Sequence, residues 1–377
     1  MVEYDEFGPE KILQVYDPVT GMKGFTVIHS TALGPGKGGI RMTPTVSVDE
    51  VSRLAAAMSY KCAMAELPFG GGKSGIVADG KNLDPKKKME IIAAFARAIK
   101  PICPSMYVAA PDMYTAEAEM AVFAKANGSI QSCTGKPLTM CEGRRCGIPH
   151  ELGSTGWGVF HATLVALEHK KIPVKSATIA IEGYGNVGSF AAKYLADAGA
   201  KIVALSDSKG GIYDPQGLDL KNVSEAKQKT GSVVGYPHGT KLEHGKIFEI
   251  ACDVVIPAAQ PDVLHDKNKD LIKAKIIVEG ANIPAPISVE EYLHKKGILI
   301  IPDFIANAGG VISSYVEYIG GTQEEVFPLI EKRIVKNTRL MLERAQQKKI
   351  SPRSAAMEIA KERIRSAKRL EDYEHHP

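Results

Sequence analysis

A glycine turn between two apolar strands constrains this chain more than any other feature. Residues 178–207 read TIAIEGYGNVGSFAAKYLADAGAKIVALSD. The order is strand, then Gly183, Gly185 and Gly188 spaced G-x-G-x-x-G, then an amphipathic helix and a second strand ending at Asp207. That context predicts a βαβ unit that binds a dinucleotide: a tight turn, backbone open to a pyrophosphate, and a helix N-terminus that favours negative charge. Asn186 and Val187 complete the turn and join the three glycines as cofactor-binding candidates. Asp207 stands where an acid accepts the ribose 2′-hydroxyl of NAD and repels a 2′-phosphate. Its neighbours Ser206, Ser208 and Lys209 would receive that phosphate if the carboxylate swung aside, so NAD and NADP both stay open.

Three later segments, CDVVIPAA, AKIIVEGA and GILIIPDF, are further apolar strands with helical or irregular links between them. Such alternation predicts a mainly parallel sheet with helices on both faces. Upstream, KGFTVIHS reads as a strand. VDEVSRLAAAMSYKCAMAEL follows as a helix with Val51, Leu54, Ala55, Met58, Cys62 and Ala65 on one stripe and Asp49 as N-cap. KKKMEIIAAFARAIK is another helix, and MYVAAPDM a short strand with Asp112 at its tip, where a helix N-cap is the simplest role for a carboxylate. GPGKGGIRM and PFGGGKSGI read as glycine-rich turns. The fold class is therefore α/β, with a mixed-sheet domain beside a Rossmann-type doubly wound one.

At 377 residues the chain has room for two domains. A net charge of +4 with scattered basic residues argues against nucleic acid or a membrane surface as partner. No apolar run is long enough to span a bilayer, and MVEYDEFGPE lacks the order of a secretory signal, so cytoplasm is the expected location. The six cysteines are sparse and suit reduced thiols. CEGRRC, with His150 nearby, leaves a metal site as an alternative, but no second close cysteine pair follows, and none is expected.

PFGGGKSG resembles a phosphate loop, yet the G-x-x-x-x-G-K-[ST] pattern requires glycine where Leu67 stands. Lys73 in this stretch, Lys37 in GPGKGG and Lys61 in MSYKCA instead suggest a concave basic pocket beside an apolar helix. Such a pocket suits a small dianion or an amino acid. Crowded lysines depress one another, and one lowered to about 7–8 serves as a general base or activates water. Asp112 would complete an acid–base pair.

The motifs GPGKGGIRM, PFGGGKSGI, APDM, GYGNVG, VEGAN and PDFIANAGGVISSYVEY resemble those of the glutamate/leucine/phenylalanine/valine dehydrogenases, from about Val15 to the last helix. The resemblance implies reversible oxidative deamination of an L-amino acid to a 2-oxo acid and ammonia, with hydride passing to NAD or NADP. It makes Lys73 the catalytic lysine and Asp112 the acid–base aspartate. Lys61 binds the substrate α-carboxylate and Asn307 lies near the same group, with Gly38 beside Lys37 also at the substrate. Thr155, Asn186, Asn282 and Ala259 fall on the cofactor side. It further implies two domains across a deep cleft: 1–145 for substrate and oligomerisation, with 351–377 returning to it, and 146–350 for the dinucleotide.

Among these enzymes the positions of Lys37 and Ser314 are apolar when the substrate is leucine, valine or phenylalanine, and a lysine and a serine when it is glutamate. A buried ammonium against an aliphatic side chain costs several kcal/mol, so Lys37 implies an anionic partner. Glutamate and 2-oxoglutarate are the expected substrates, with a leucine or valine dehydrogenase the alternative. A dinucleotide-binding sensor without catalysis is the reading from another class. The expected assembly is a homo-oligomer, hexamer or octamer; the short N-terminal stretch resembles the branched-chain enzymes. MCEGRRCGIPHELGSTG departs from the family's usual GGSxGRxEATG run.

Overall fold

The computed structural model describes residues 2–149 and 152–375. The chain divides into two compact units. One comprises the chain up to Leu152, Gly310–Leu329 and the residues from Met357 onward; the other comprises Gly153–Gly309 and Ile330–Ala356. Gly310–Leu329, which carries Ser314, thus groups with the first unit, whereas the sequence reading put all of 146–350 in the second.

The first unit is built on β1 (Lys11–Asp17), β2 (Met22–Ser30), β3 (Gly36–Thr43), β4 (Gly70–Val77) and β5 (Tyr107–Pro111). Their order is β1-β2-β4-β3-β5, with β3 parallel to β4 and β5 and the other pairs antiparallel, a mixed sheet. Helices α1 (Val48–Met64), α2 (Pro85–Ala98) and α3 (Glu117–Asn127) complete it. Phe95, Tyr107, Phe123 and Ile92 fill the core beneath α2 and α3.

The two glycine-rich segments read as turns are strands β3 and β4. Their glycines serve close packing rather than bending. A Cβ at Gly71 would lie 2.2 Å from both Ala55 O and Ser59 Oγ, so α1 rests directly on the β4 backbone. Ser47, not Asp49, caps α1, its Oγ accepting from Glu50 N at 3.2 Å. Asp49 falls inside the first turn, where its charge still complements the helix dipole.

β6 (Cys141–Glu142) and β7 (Arg145–Cys146) form a two-strand ladder closed by a Cys141–Cys146 disulfide. The expectation of six reduced thiols is thus corrected: the ladder pairs Cys141 with Cys146, while Cys62, Cys103, Cys133 and Cys252 are free and buried. Among the described residues no cluster of metal-ligating side chains occurs, and His150 lies outside them.

The second unit carries β8 (Thr178–Glu182), β9 (Lys201–Asp207), β10 (Gly210–Tyr213), β11 (Thr240–Leu242), β12 (Val254–Pro257), β13 (Ile276–Val278) and β14 (Leu299–Ile301). The order is β11-β10-β9-β8-β12-β13-β14. The five strands from β9 to β14 in that order are parallel, and β10 and β11 add an antiparallel edge that the sequence did not announce. Helices α4 (Ser154–His169), α5 (Asn186–Asp197), α6 (Leu220–Thr230), α7 (Ile287–Lys295) and α8 (Asp303–Ala306) belong to this unit, and α9 (Gly309–Ile319), α10 (Gln323–Lys348) and α11 (Pro352–His375) follow. Val203, Val255, Ile277, Leu293 and Ile300 form its core. No helix among the described residues is long and apolar enough to cross a membrane.

Candidate active site

Strand register gathers the first unit's lysines. Lys37 on β3 pairs with Gly71 on β4, and Lys73 lies two residues beyond Gly71. Side chains two apart share a sheet face, so Lys37 and Lys73 point to the face on which α1 lies. That helix carries Lys61, half-buried in its last turn. The charges of Lys37 and Lys61 both act on the Cys62 thiol, although burial dominates there and pushes it up to about 12.

Asp112 follows β5 directly and does not cap a helix. Its Oδ2 lies 3.1 Å from Lys73 Nζ and accepts from Arg41 Nε at 2.9 Å. Thr115 Oγ1, accepting from Asp112 N at 2.9 Å, fixes the turn beneath it. A Cβ at Gly39 would lie 2.7 Å from the Asp112 Cβ, so glycine there leaves the carboxylate its place. Burial works against the charged carboxylate, but Lys73 and Arg41 outweigh it and hold Asp112 below its ordinary range. Burial also lowers Lys73, Asp112 opposes that, and Arg41 adds to it. The cation depressing Lys73 is therefore Arg41 rather than a second lysine.

Lys37 is 1% exposed. Its Nζ donates to Ala109 O and Thr134 Oγ1, both at 2.7 Å, and no carboxylate pairs with it among the described residues. Burial brings it down to about 7, against the pull of Glu317. Glu317 is itself engaged: Lys136 Nζ donates to its Oε1 at 2.6 Å and Gly135 N to its Oε2 at 2.7 Å. That buried pair ties the Thr134 loop to α9, on which Ser314 sits half-buried one turn earlier. Gly38 O accepts from Tyr107 Oη at 2.8 Å.

In the second unit the glycine turn has the shape of a phosphate cradle. Gly183 takes φ +94°, and a Cβ there would lie 2.7 Å from that of Ala259. A Cβ on Gly188 would lie 2.0 Å from Gly183 O, while one on Gly185 would meet nothing within 4 Å. Gly185 and Asn186 are exposed at the start of α5 and Val187 is half-buried, which fits a dinucleotide phosphate approaching the backbone. Thr155 is half-buried in the first turn of α4, and Ser208 is exposed beyond Asp207. Asn307 Nδ2 donates to Asn282 Oδ1 at 3.0 Å, whereas its buried Oδ1 has no partner among the described residues.

One cation organises the loops carrying these asparagines. The Arg353 guanidinium donates to Glu279 Oε2 and Asp303 Oδ1, each at 2.9 Å, and to Glu290 Oε2 at 2.6 Å. Asp303 Oδ2 in turn accepts from Ile283 N, next to Asn282. Burial and the nearby Glu290 raise Glu279 well above the carboxyl range, with Arg353 opposing. Burial likewise raises Glu290, so the two acids titrate as a pair across the one arginine.

The sequence profile of the Glutamate/Leucine/Phenylalanine/Valine dehydrogenase family matches residues 146–371. That of the Glu/Leu/Phe/Val dehydrogenase dimerisation domain matches residues 9–128. The chain belongs to this family. It is 38% identical to a glutamate dehydrogenase of Aeropyrum pernix, over 98% of this chain and 94% of the relative. An NADP-specific glutamate dehydrogenase of Saccharolobus shibatae is 37% identical over 94% of this chain and 88% of its own. The solved hetero-hexameric glutamate dehydrogenase of Thermus thermophilus superposes with TM-score 0.84 at 29% identity, covering 96% of this chain and 90% of that one.

Three residues of these arrangements escaped the sequence reading. Arg41 and Gly39 lie inside GPGKGGIRM, where attention to the lysine obscured them. Arg353 carried no local signal, because its three acids come from distant segments.

Proposed function

We propose that the chain catalyses the reversible oxidative deamination of L-glutamate to 2-oxoglutarate and ammonia with NAD or NADP. The observation that carries the glutamate assignment is Lys37, a buried amine whose partners among the described residues are two neutral oxygens. An aliphatic substrate offers that amine no counter-ion, and its charged form would be buried there at a cost of several kcal/mol. A distal carboxylate supplies that counter-ion, with Ser314 as a second donor.

In this reading Lys61 binds the α-carboxylate, and Asn307 keeps the role the resemblance gives it. Lys73, lowered by burial and by Arg41, activates water and polarises the oxo carbon in the reverse direction. Asp112 carries the proton to and from the substrate nitrogen. Arg41 holds Asp112 ionised and aimed. The glycine turn, Asn186, Thr155, Ala259 and Asn282 hold the dinucleotide, which when bound supplies the hydride acceptor. A hexamer is the proposed assembly, supported by the dimerisation-domain match and the hetero-hexameric solved structure, and cytoplasm is the proposed location.

The test is the oxidation of NADH and of NADPH with ammonium and either 2-oxoglutarate or 4-methyl-2-oxopentanoate. Faster turnover of 2-oxoglutarate is expected. Faster turnover of the branched-chain oxo acid would assign the chain to the leucine enzymes, and cofactor binding without turnover would make it a sensor.

A further inference from the structure

Helix α1 ends in a turn whose pivotal position usually belongs to glycine. Glu66 N donates to Ala63 O at 3.1 Å and Leu67 N to Cys62 O at 2.9 Å, the paired bonds of a Schellman motif. The residue at the left-handed position is Glu66, at φ +55°. A side chain strains that conformation, and nothing within the turn relieves it.

The support comes from the far end of the chain. Arg363 lies on the part of α11 that belongs to the first unit. Its Nη1 donates to Ala63 O and Met64 O, both at 2.9 Å, and its Nη2 to Glu66 Oε1 at 3.5 Å. One planar guanidinium thus engages two carbonyls of the last α1 turn and the carboxylate of the strained residue, a fork that an ammonium reproduces poorly. Arg363 is itself held in place. Its neighbour Ile364 is buried, and Arg365 donates to both oxygens of Glu6 at 2.8 Å.

Ala63 and Met64 follow Lys61 by two and three residues, and Ala65 N donates back to Lys61 O at 2.9 Å. Fraying of this turn would free the backbone that carries Lys61. Lys73 is insulated from it: it pairs with Val27 on β2, and its neighbour Ser74 pairs with Ile40 on β3.

We propose that Arg363 is a positioning residue for the substrate α-carboxylate, acting through the turn that sets the place of Lys61. This rests on reading Lys61 as the partner of that carboxylate. The alternative role for Arg363 is a brace that serves stability alone.

Steady-state kinetics of the full chain, with glutamate varied and the dinucleotide saturating, separate the two. Arg363→Met is expected to raise KM for glutamate about ten-fold or more, the scale of one lost charge-assisted contact, with kcat within about three-fold and its pH profile unmoved. Arg363→Lys keeps the charge without the fork, so its KM should rise less, and it carries the test if Arg363→Met does not fold. Adding Glu66→Gly to Arg363→Met should bring KM back towards the wild-type value, because glycine holds the left-handed position unaided. A lowered melting temperature with KM unchanged in both Arg363 variants would overturn the inference in favour of the brace. Lys61→Met distinguishes failure of the inference from failure of the reading beneath it. A raised KM there, with none in the Arg363 variants, overturns the inference alone. An unchanged KM in Lys61→Met overturns the α-carboxylate reading, and this inference with it.

Discussion

Arg41 donates to the same Asp112 oxygen that faces Lys73, at 2.9 Å against 3.1 Å for the amine. One carboxylate oxygen thus mediates between a permanent cation and a titratable one. The two neighbours of Lys73 act on it in opposite senses: Asp112 raises its pKa and Arg41 lowers it.

This predicts opposite pH shifts for two substitutions. In the proposed mechanism the neutral amine of Lys73 is the active form in oxidative deamination, so kcat/KM should rise with pH along a limb governed by Lys73. Asp112→Asn removes the carboxylate that favours the ammonium, and the limb should move to lower pH. Arg41→Met removes the competing cation, and the limb should move to higher pH. Asp112→Asn should also lower kcat by roughly 10²–10⁴-fold. Stopped-flow pH profiles of the residual rates check both directions; shifts of the same sign would contradict the arrangement.

Lys37 predicts proton uptake on substrate binding. With its pKa near about 7, the free protein at pH 8 holds Lys37 mostly neutral, both N–H bonds given to Ala109 O and Thr134 Oγ1. A bound carboxylate restores the third N–H. Glutarate binding, measured calorimetrically in two buffers of different ionisation enthalpy, should take up about one proton per chain. Lys37→Met should abolish that uptake.

The cluster around Arg353 predicts how stability changes with pH. Glu279 keeps its proton in the folded state above the pH at which the unfolded chain loses it. Its folded pKa is raised, so the stability tied to that proton is complete below the unfolded carboxyl pKa and is lost as pH rises through the folded one. Glu279→Gln keeps the shape and removes one of the two linked titrations, leaving that of Glu290. Urea midpoints of the variant should fall less steeply with pH than those of the wild type across this range.

Legibility in the sequence followed locality. The βαβ unit was plain because its strand, turn, helix and acid are contiguous, and Gly183, Gly185 and Gly188 fall where the spacing put them. The glycines of β3 and β4 misled: they looked like bends but are flat backbone on which α1 rests, a contact between segments that local pattern does not encode. Asp112 was placed correctly at the end of a strand, while its pairing with Arg41 depends on β3 lying beside β5. The Cys141–Cys146 pairing was equally hidden, since a C-x4-C spacing fits a metal or a short ladder alike.

The central claim is that Lys37 and Ser314 select a substrate with a distal carboxylate. The double substitution Lys37→Leu with Ser314→Val tests it most directly, through steady-state kcat/KM for glutamate and for leucine. A fall by orders of magnitude for glutamate, with leucine retained or improved, is the expected result, because a pocket built to hydrogen-bond a substrate group discriminates strongly against its absence. Unchanged glutamate kinetics in that variant would contradict the account.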